Sequence, residues 1–316
     1  MKSVSVIIPC RDVGTYLSQA VRSALDQERA GSGLEVEVLV VDDGSTEAET
    51  LDVLKDLSQQ GRVRVLENAG QPGVSDTRNT GFAASEGTWV VYLDGDDILL
   101  PGALRARLHV LEVFPQARWI GTDHQILRAE GQVEAEGFFA SRPLYANLLA
   151  ELGVREQTHR IQAPLTHFLR HSLLCWTGAV MLHRDLQLKV GGFDPTFTVS
   201  EDVHLWLRLA AVSDFYYLPR STALYRQRPG SITNAGRPPS DGTLAVYRDL
   251  MEKGIISARS PDVRRLLHRF HLRNARYFRE QRQFSKAFRH SASAIGMQPR
   301  SLVAWRQAAA SLIRRP

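Results

Sequence analysis

Cysteine is scarce. Cys10 and Cys175 are the chain's two cysteines among 316 residues, too few for a disulfide framework and without metal-ligand spacing. That usage fits a reducing compartment. Long apolar runs are missing as well. A membrane-spanning helix needs ~18 consecutive apolar residues, and the longest candidate, residues 173–182, is interrupted by Thr177 and Gly178. Met1-Lys2-Ser3 leads directly into the apolar residues 4–8 with no cleavage-type segment, so no signal peptide and a cytoplasmic location are expected. Two phosphate-binding signatures are absent. The turn after the first apolar run reads Pro9-Cys10-Arg11-Asp12-Val13-Gly14, not Gly-x-Gly-x-x-Gly, and there is no Walker loop ending in Gly-Lys-Ser/Thr. A phosphate-bearing ligand must then be held by a metal and side-chain cations, not by a glycine cradle.

What is present alternates at the spacing of βαβ units. Strands are expected over residues 4–8, 35–41, 63–66 and 89–93, with helices over 15–26, 47–60 and 74–84 between them. The first helix places Tyr16, Leu17, Ala20, Val21, Ala24 and Leu25 on one face. This order implies an α/β fold with a mainly parallel sheet and right-handed crossovers. Two of the strands end in clustered acids, Asp42-Asp43 and Asp94-Gly95-Asp96-Asp97. Ligands of open α/β sheets bind at the carboxyl ends of strands, and hard divalent cations take carboxylate oxygens together with substrate phosphate. The alternative for the second cluster is a solvated turn with Asp97 capping the helix that Pro101 helps begin.

Six blocks then appear in order: residues 4–12 (VSVIIPCRD), 40–47 (VVDDGSTE), 73–81 (GVSDTRNTG), 92–97 (YLDGDD), 191–195 (GGFDP) and 200–208 (SEDVHLWLR). Together they resemble the family 2 inverting glycosyltransferases of GT-A fold, over about residues 3–235. The resemblance implies a catalytic domain over 1–238, with a nucleotide-binding part to about 120 and an acceptor-binding part beyond it. Asp43 would bond the nucleobase, with Pro9 and Arg11 lining its pocket, and a carboxylate suits a uracil imide N–H. Arg78 would contact donor phosphate. Asp94 and Asp96, around Gly95, form the D-x-D pair for Mn²⁺ or Mg²⁺, with Asp96 the direct ligand.

Asp202 is the expected general base, taking the proton of an acceptor hydroxyl as it attacks the anomeric carbon. Glu201 beside it is a candidate acceptor contact. Their place in the first turn after Ser200, the expected N-cap, should keep Asp202 at low pKa. Trp176 is a further acceptor candidate that would stack on a sugar. Arg226 and Arg228 precede the Pro229-Gly230 loop that closes over diphosphate in relatives. Arg228 stands where many relatives have histidine; it cannot ligate a metal but can clamp phosphate. The Gln-x-x-Arg-Trp signature of processive synthases is missing. The implied activity is metal-dependent transfer from a nucleotide-sugar, UDP-linked, to a hydroxyl of a glycan or lipid-linked acceptor. A nucleotidyltransferase and a catalytically inactive sugar-nucleotide-binding module are the alternatives.

The formal charge of +5 is unevenly spread. Residues 239–316 read as a basic helical extension, and between Arg259 and Pro316 fourteen Lys/Arg face two acids, Asp262 and Glu280. Residues 274–299 resemble one helix-turn-helix repeat of the tetratricopeptide kind. The amphipathic 302–313 stretch, flanked by arginines, suits the surface of an anionic membrane, whereas no nucleic-acid motif is present. Peripheral contact at the inner membrane face is the expectation that follows.

Overall fold

A computed structural model of the chain describes residues 2–28, 33–170, 173–228 and 238–312. The chain divides into two compact units, Met1–Pro229 and Gly230–Pro316.

The first unit opens with the expected alternation: β1 (Lys2–Cys10), α1 (Tyr16–Leu25), β2 (Leu34–Asp42), α2 (Ala48–Gln59), β3 (Arg64–Glu67), α3 (Val74–Ala84) and β4 (Trp89–Tyr92). It continues through β5 (Ile98–Leu99), α4 (Ala103–Val113), β6 (Trp119–Leu127), α5 (Phe138–Ser141), α6 (Pro143–Glu151), β7 (His159–Ile161), α7 (Pro164–Arg170), β8 (Val180–His183), α8 (Arg184–Val190), α9 (Glu201–Ala210) and β9 (Phe215–Arg226).

These strands form one sheet in the order β3-β2-β1-β4-β8-β6-β9-β5, with β7 on β9. The first four strands are parallel. Beyond β4 the sheet is mixed: β8 runs antiparallel to both β4 and β6, and β6 lies parallel to β9.

β1 is buried on both faces, as a central parallel strand must be. Its side chains alternate with the pleat. Val4, Val6 and Ile8 join Leu17, Ala20, Val21 and Ala24 of α1 in one core cluster. On the opposite face, Ile7 and Val41 meet α3 at Gly81, where a Cβ would lie 2.4 Å from the Ile7 methyl carbon. Glycine there lets the helix sit directly on the sheet.

The chain leaves β1 towards β2 and β3, then returns to place β4 on the other side of β1. That reversal opens a crevice beyond the carboxyl ends of β1, β2 and β4. Pro9–Arg11, Asp42–Asp43 and the acid loop 94–97 all fall at that edge.

The second unit is helical: α10 (Asp241–Glu252), α11 (Pro261–Glu280), α12 (Phe284–Met297) and α13 (Leu302–Leu312). α11 packs on α12, and α12 on α13. The seams use small residues, with Ala275, Ala287, Ser291, Ala294, Ala304 and Ala308 all buried. Among the described residues no helix is long and apolar enough to cross a membrane.

Candidate active site

Asp43 follows β2, and its side chain is 9% exposed. It accepts from the Gly73 N–H at 2.9 and 3.1 Å, from Asn68 Nδ2 at 2.7 Å, and faces the Arg11 guanidinium at 3.5 Å. Asp12, at φ 49°, ties down the turn that leads into α2: its Oδ1 accepts from the N–H groups of Thr46 and Glu47 at 2.7 and 2.8 Å. Those two backbone bonds hold the Asp12 carboxyl below the usual range. The sequence signal for this was an acid just beyond β1, facing a helix start across the crevice.

The acid loop lies against the end of β1. A Cβ on Gly95 would come within 3.2 Å of the Pro9 carbonyl oxygen and 3.3 Å of the Cys10 Cβ, so a larger residue would push the loop away. Each acid of the loop has its own partner. Asp94 Oδ1 accepts from Arg78 Nη2 at 2.8 Å, and Asp96 Oδ2 from Arg228 Nε at 2.5 Å.

Asp97 is buried, and its Oδ1 accepts from the Arg226 backbone N–H at 2.8 Å. It is not the cap of α4, whose N-cap is Gly102 in left-handed conformation. Burial, with Asp96 and Asp94 nearby, raises the Asp97 carboxyl well above its ordinary range. Burial also raises Asp96, against the opposing pull of Arg228. Arg226 is locked onto this loop: Nε donates to the Asp96 carbonyl at 2.8 Å, Nη2 to Gln19 Oε1 at 2.8 Å, and the guanidinium lies 4.6 Å from the Tyr16 ring centroid.

The donor set suits a hard divalent cation. Asp94 keeps a 33% exposed carboxylate beside Asp96, and each has one oxygen beyond the one that meets arginine. Arg228 competes for the same Asp96 carboxylate that a cation would use.

α9 brings the remaining acids. Arg78, 3% exposed, forks between Asp94 and Glu201, with Nη1 at 2.7 Å from Glu201 Oε1 and the Phe193 ring under it at 5.1 Å. Burial alone would lower its pKa, but the Asp94 and Glu201 carboxylates outweigh that and raise it. Asp202 stands next in the chain and is half-buried. Burial, and then the neighbouring Glu201 carboxylate, push Asp202 up to about 6, against the pull of Arg78 and the Val203 N–H. The expected low pKa at a helix N-terminus is thus overturned: desolvation and a like charge exceed the dipole. Ser200 is the N-cap by position, at φ 60°, but makes no side-chain cap bond.

Sequence reasoning missed Thr177, whose Oγ1 lies 3.5 Å from Asp202 Oδ2. It also missed what holds Thr177. Gly178, Ala179 and Val180 present three successive carbonyls. Arg107 donates to those of Gly178 and Val180 at 2.6 and 3.3 Å, and Thr122 to that of Ala179 at 3.1 Å. Thr222 joins the pair, accepting from Arg107 and sharing a 2.6 Å bond with Thr122. Arg107 is fully buried with neutral oxygens as its partners, and burial lowers it to about 9, still charged at neutral pH. A lone arginine in an amphipathic helix pattern gives no hint of this.

Trp176 packs between elements. His124 lies on its ring at 4.5 Å, Tyr225 meets it edge-on at 5.5 Å, and a Cβ on Gly178 would collide with the indole at 2.5 Å. The loop at 229–233 lies outside the described residues.

Every other sequence-nominated residue, Pro9 through Arg228, gathers at this one edge. The edge is a sheet switch point lined by carboxylates, with the buried Arg78 between two of them and an acid of raised pKa at a helix start. A profile described as "Glycosyl transferase family 2" matches residues 5–116. Glycosyltransferase GlyG of Streptococcus pneumoniae is 33% identical over 255 residues, covering 79% of this chain and 77% of its own length. The chain belongs to glycosyl transferase family 2 and is a glycosyltransferase. The crystal structure of S. aureus TarS 1-349 shares the fold at a TM-score of 0.65 and 15% identity, over 98% of this chain and 89% of that one. The same protein in complex with UDP-GlcNAc aligns at 0.63 and 14% identity, over 97% and 92%.

Proposed function

We propose that the chain is an inverting transferase that moves a sugar from a UDP-linked donor to a hydroxyl of a glycan or lipid-linked acceptor, with Asp202 as general base. The observation that carries this reading is the bonded bridge from Asp94 through Arg78 to Glu201, which ties the acid loop that also holds Asp96 to the helix start where Asp202, an acid of raised pKa, stands next to Glu201. A base near neutral pKa holds its proton long enough to matter and gives it up at working pH. Thr177 meets Asp202 Oδ2 at 3.5 Å and the Val203 N–H meets Oδ1 at 2.7 Å, which leaves lone-pair sites on the carboxylate for an acceptor hydroxyl.

The first part of the unit, to about residue 120, serves the nucleotide. Asp43 has three internal donors for about four lone-pair sites, so one acceptor position remains for a uracil N–H, with Arg11 and Pro9 beside it. Arg78, Arg226 and Arg228 carry positive charge where the diphosphate would lie, and Arg228 can leave Asp96 for a phosphate oxygen. The part from 121 on, with Trp176 and Glu201, serves the acceptor. Asp94 and Asp96 would hold Mn²⁺ or Mg²⁺, which supplies neutralisation of the diphosphate charge. The UDP-GlcNAc bound to the structural neighbour TarS supports a UDP donor.

The test is a thermal-shift panel of UDP-, GDP-, dTDP- and CMP-sugars, each with Mn²⁺ and with chelator. Ligand at ~100 times its dissociation constant adds about 2.7 kcal/mol. A shift with the UDP-sugars that chelator removes is the expected result. A shift confined to another base, or one indifferent to chelator, contradicts the donor or the metal reading respectively.

A further inference from the structure

α13 carries four of the eleven large hydrophobic side chains that are exposed among the described residues: Leu302 at 71%, Val303 at 53%, Trp305 at 55% and Leu312 at 68%. The helix buries Ala304, Ala308 and Ser311 against its neighbours, so its small residues face inward and its large ones outward. That inverts the usual amphipathic arrangement. Leu302, Trp305, Ala309 and Leu312 follow i, i+3, i+7, i+10 spacing and form one exposed stripe.

Along the sequence, the stretch that carries the stripe is basic. From Gln281 to Pro316 the sequence has seven Lys/Arg and no acid. Arg306 lies on the stripe's own face, and Arg300 stands exposed just ahead of the helix. Arg264 is seated on the Gly296 and Met297 carbonyls at 3.0 to 3.2 Å, at the loop that leads into α13. Trp305 anchors its indole N–H on the Pro299 carbonyl at 2.9 Å, which leaves the ring face outward. An apolar stripe with a tryptophan, edged by arginines and carried on a stretch with no acid from Gln281 on, matches the acyl–headgroup boundary of an anionic bilayer. There the rings and aliphatic chains enter, while guanidinium groups meet the lipid phosphates.

We infer that α13 is a peripheral membrane-docking helix whose partner is an anionic lipid surface. The inference is independent of which sugar or acceptor the catalytic unit uses.

The experiment is flotation of the full chain with vesicles of phosphatidylcholine alone and of phosphatidylcholine mixed with phosphatidylglycerol, at low and high salt. At least ~10-fold greater partitioning to the phosphatidylglycerol vesicles is expected, falling with salt. A blue shift of tryptophan emission on binding should disappear in Trp305→Phe. The Leu302→Ser/Leu312→Ser variant should lose binding at an unchanged melting temperature. Arg300→Gln/Arg306→Gln should bind several-fold more weakly, with a shallower salt dependence. Absence of wild-type partitioning, equal partitioning to neutral vesicles, or full binding by the stripe variant overturns the inference. So does a wild-type dimer that the stripe variant converts to monomer, because a second copy would then be the partner.

Discussion

The two units use the same residue, arginine, in opposite ways. At the crevice of the first unit, Arg78 and Arg228 each sit against carboxylates, and Arg226 is tied to the acid loop's backbone. In the helical unit the arginines are largely exposed and far outnumber the acids. Buried pairing makes a cation part of the architecture, since removing either partner strands a desolvated charge. Exposure leaves the charge available to an external anion and sensitive to salt. Arg107 shows a third use: with neutral oxygens as partners it organises a turn and answers no carboxylate.

The largest expected effect comes from breaking the buried pairing. Arg78→Met strands Asp94 and Glu201 together, and should cost about 3–5 kcal/mol in denaturant unfolding. A loss under ~1 kcal/mol, the range of exposed pairs, would place Arg78 with the surface arginines instead. A smaller effect is expected at the loop itself. Asp96→Ala should weaken Mn²⁺-dependent UDP binding at least ~10-fold, about 1.4 kcal/mol, by calorimetry. Unchanged affinity would mean that Arg228, released from its partner, suffices to hold the diphosphate.

The finest discrimination is pH. The folded pKa of Asp202 stands at about 6 against an ordinary 3.8. As a base it must be ionised, so kcat/KM should fall about tenfold per unit below pH 6. The stability effect has the opposite sense. The folded chain holds this proton more tightly than the unfolded chain, so the group's stabilising contribution is present at low pH and lost as pH rises through about 6. An acid limb near pH 4 would show that the acid responsible is not this one.

Much of the fold and its edge was legible in the sequence because buried parallel strands read as apolar runs and their ends as acid clusters. The first four strands and three helices appear within one or two residues of their expected bounds. Residue identities, however, do not encode partners. Arg78, expected on a phosphate, is held by two carboxylates, and Asp97, a helix cap in the alternative reading, accepts from the Arg226 backbone N–H instead. The low pKa expected of Asp202 failed because burial and Glu201 are properties of the fold, not of the helix start. Thr177 and Arg107 were invisible, because their roles arise from elements about 70 residues apart meeting under one turn.

The most direct measurement compares wild type with Asp202→Asn in UDP release from the donor identified by binding, at matched donor occupancy. Loss of at least ~100-fold in turnover with UDP affinity within about twofold is the result expected of a removed general base. Turnover near that of wild type would contradict the assignment of Asp202 and, with it, the reading of this edge as one catalytic site.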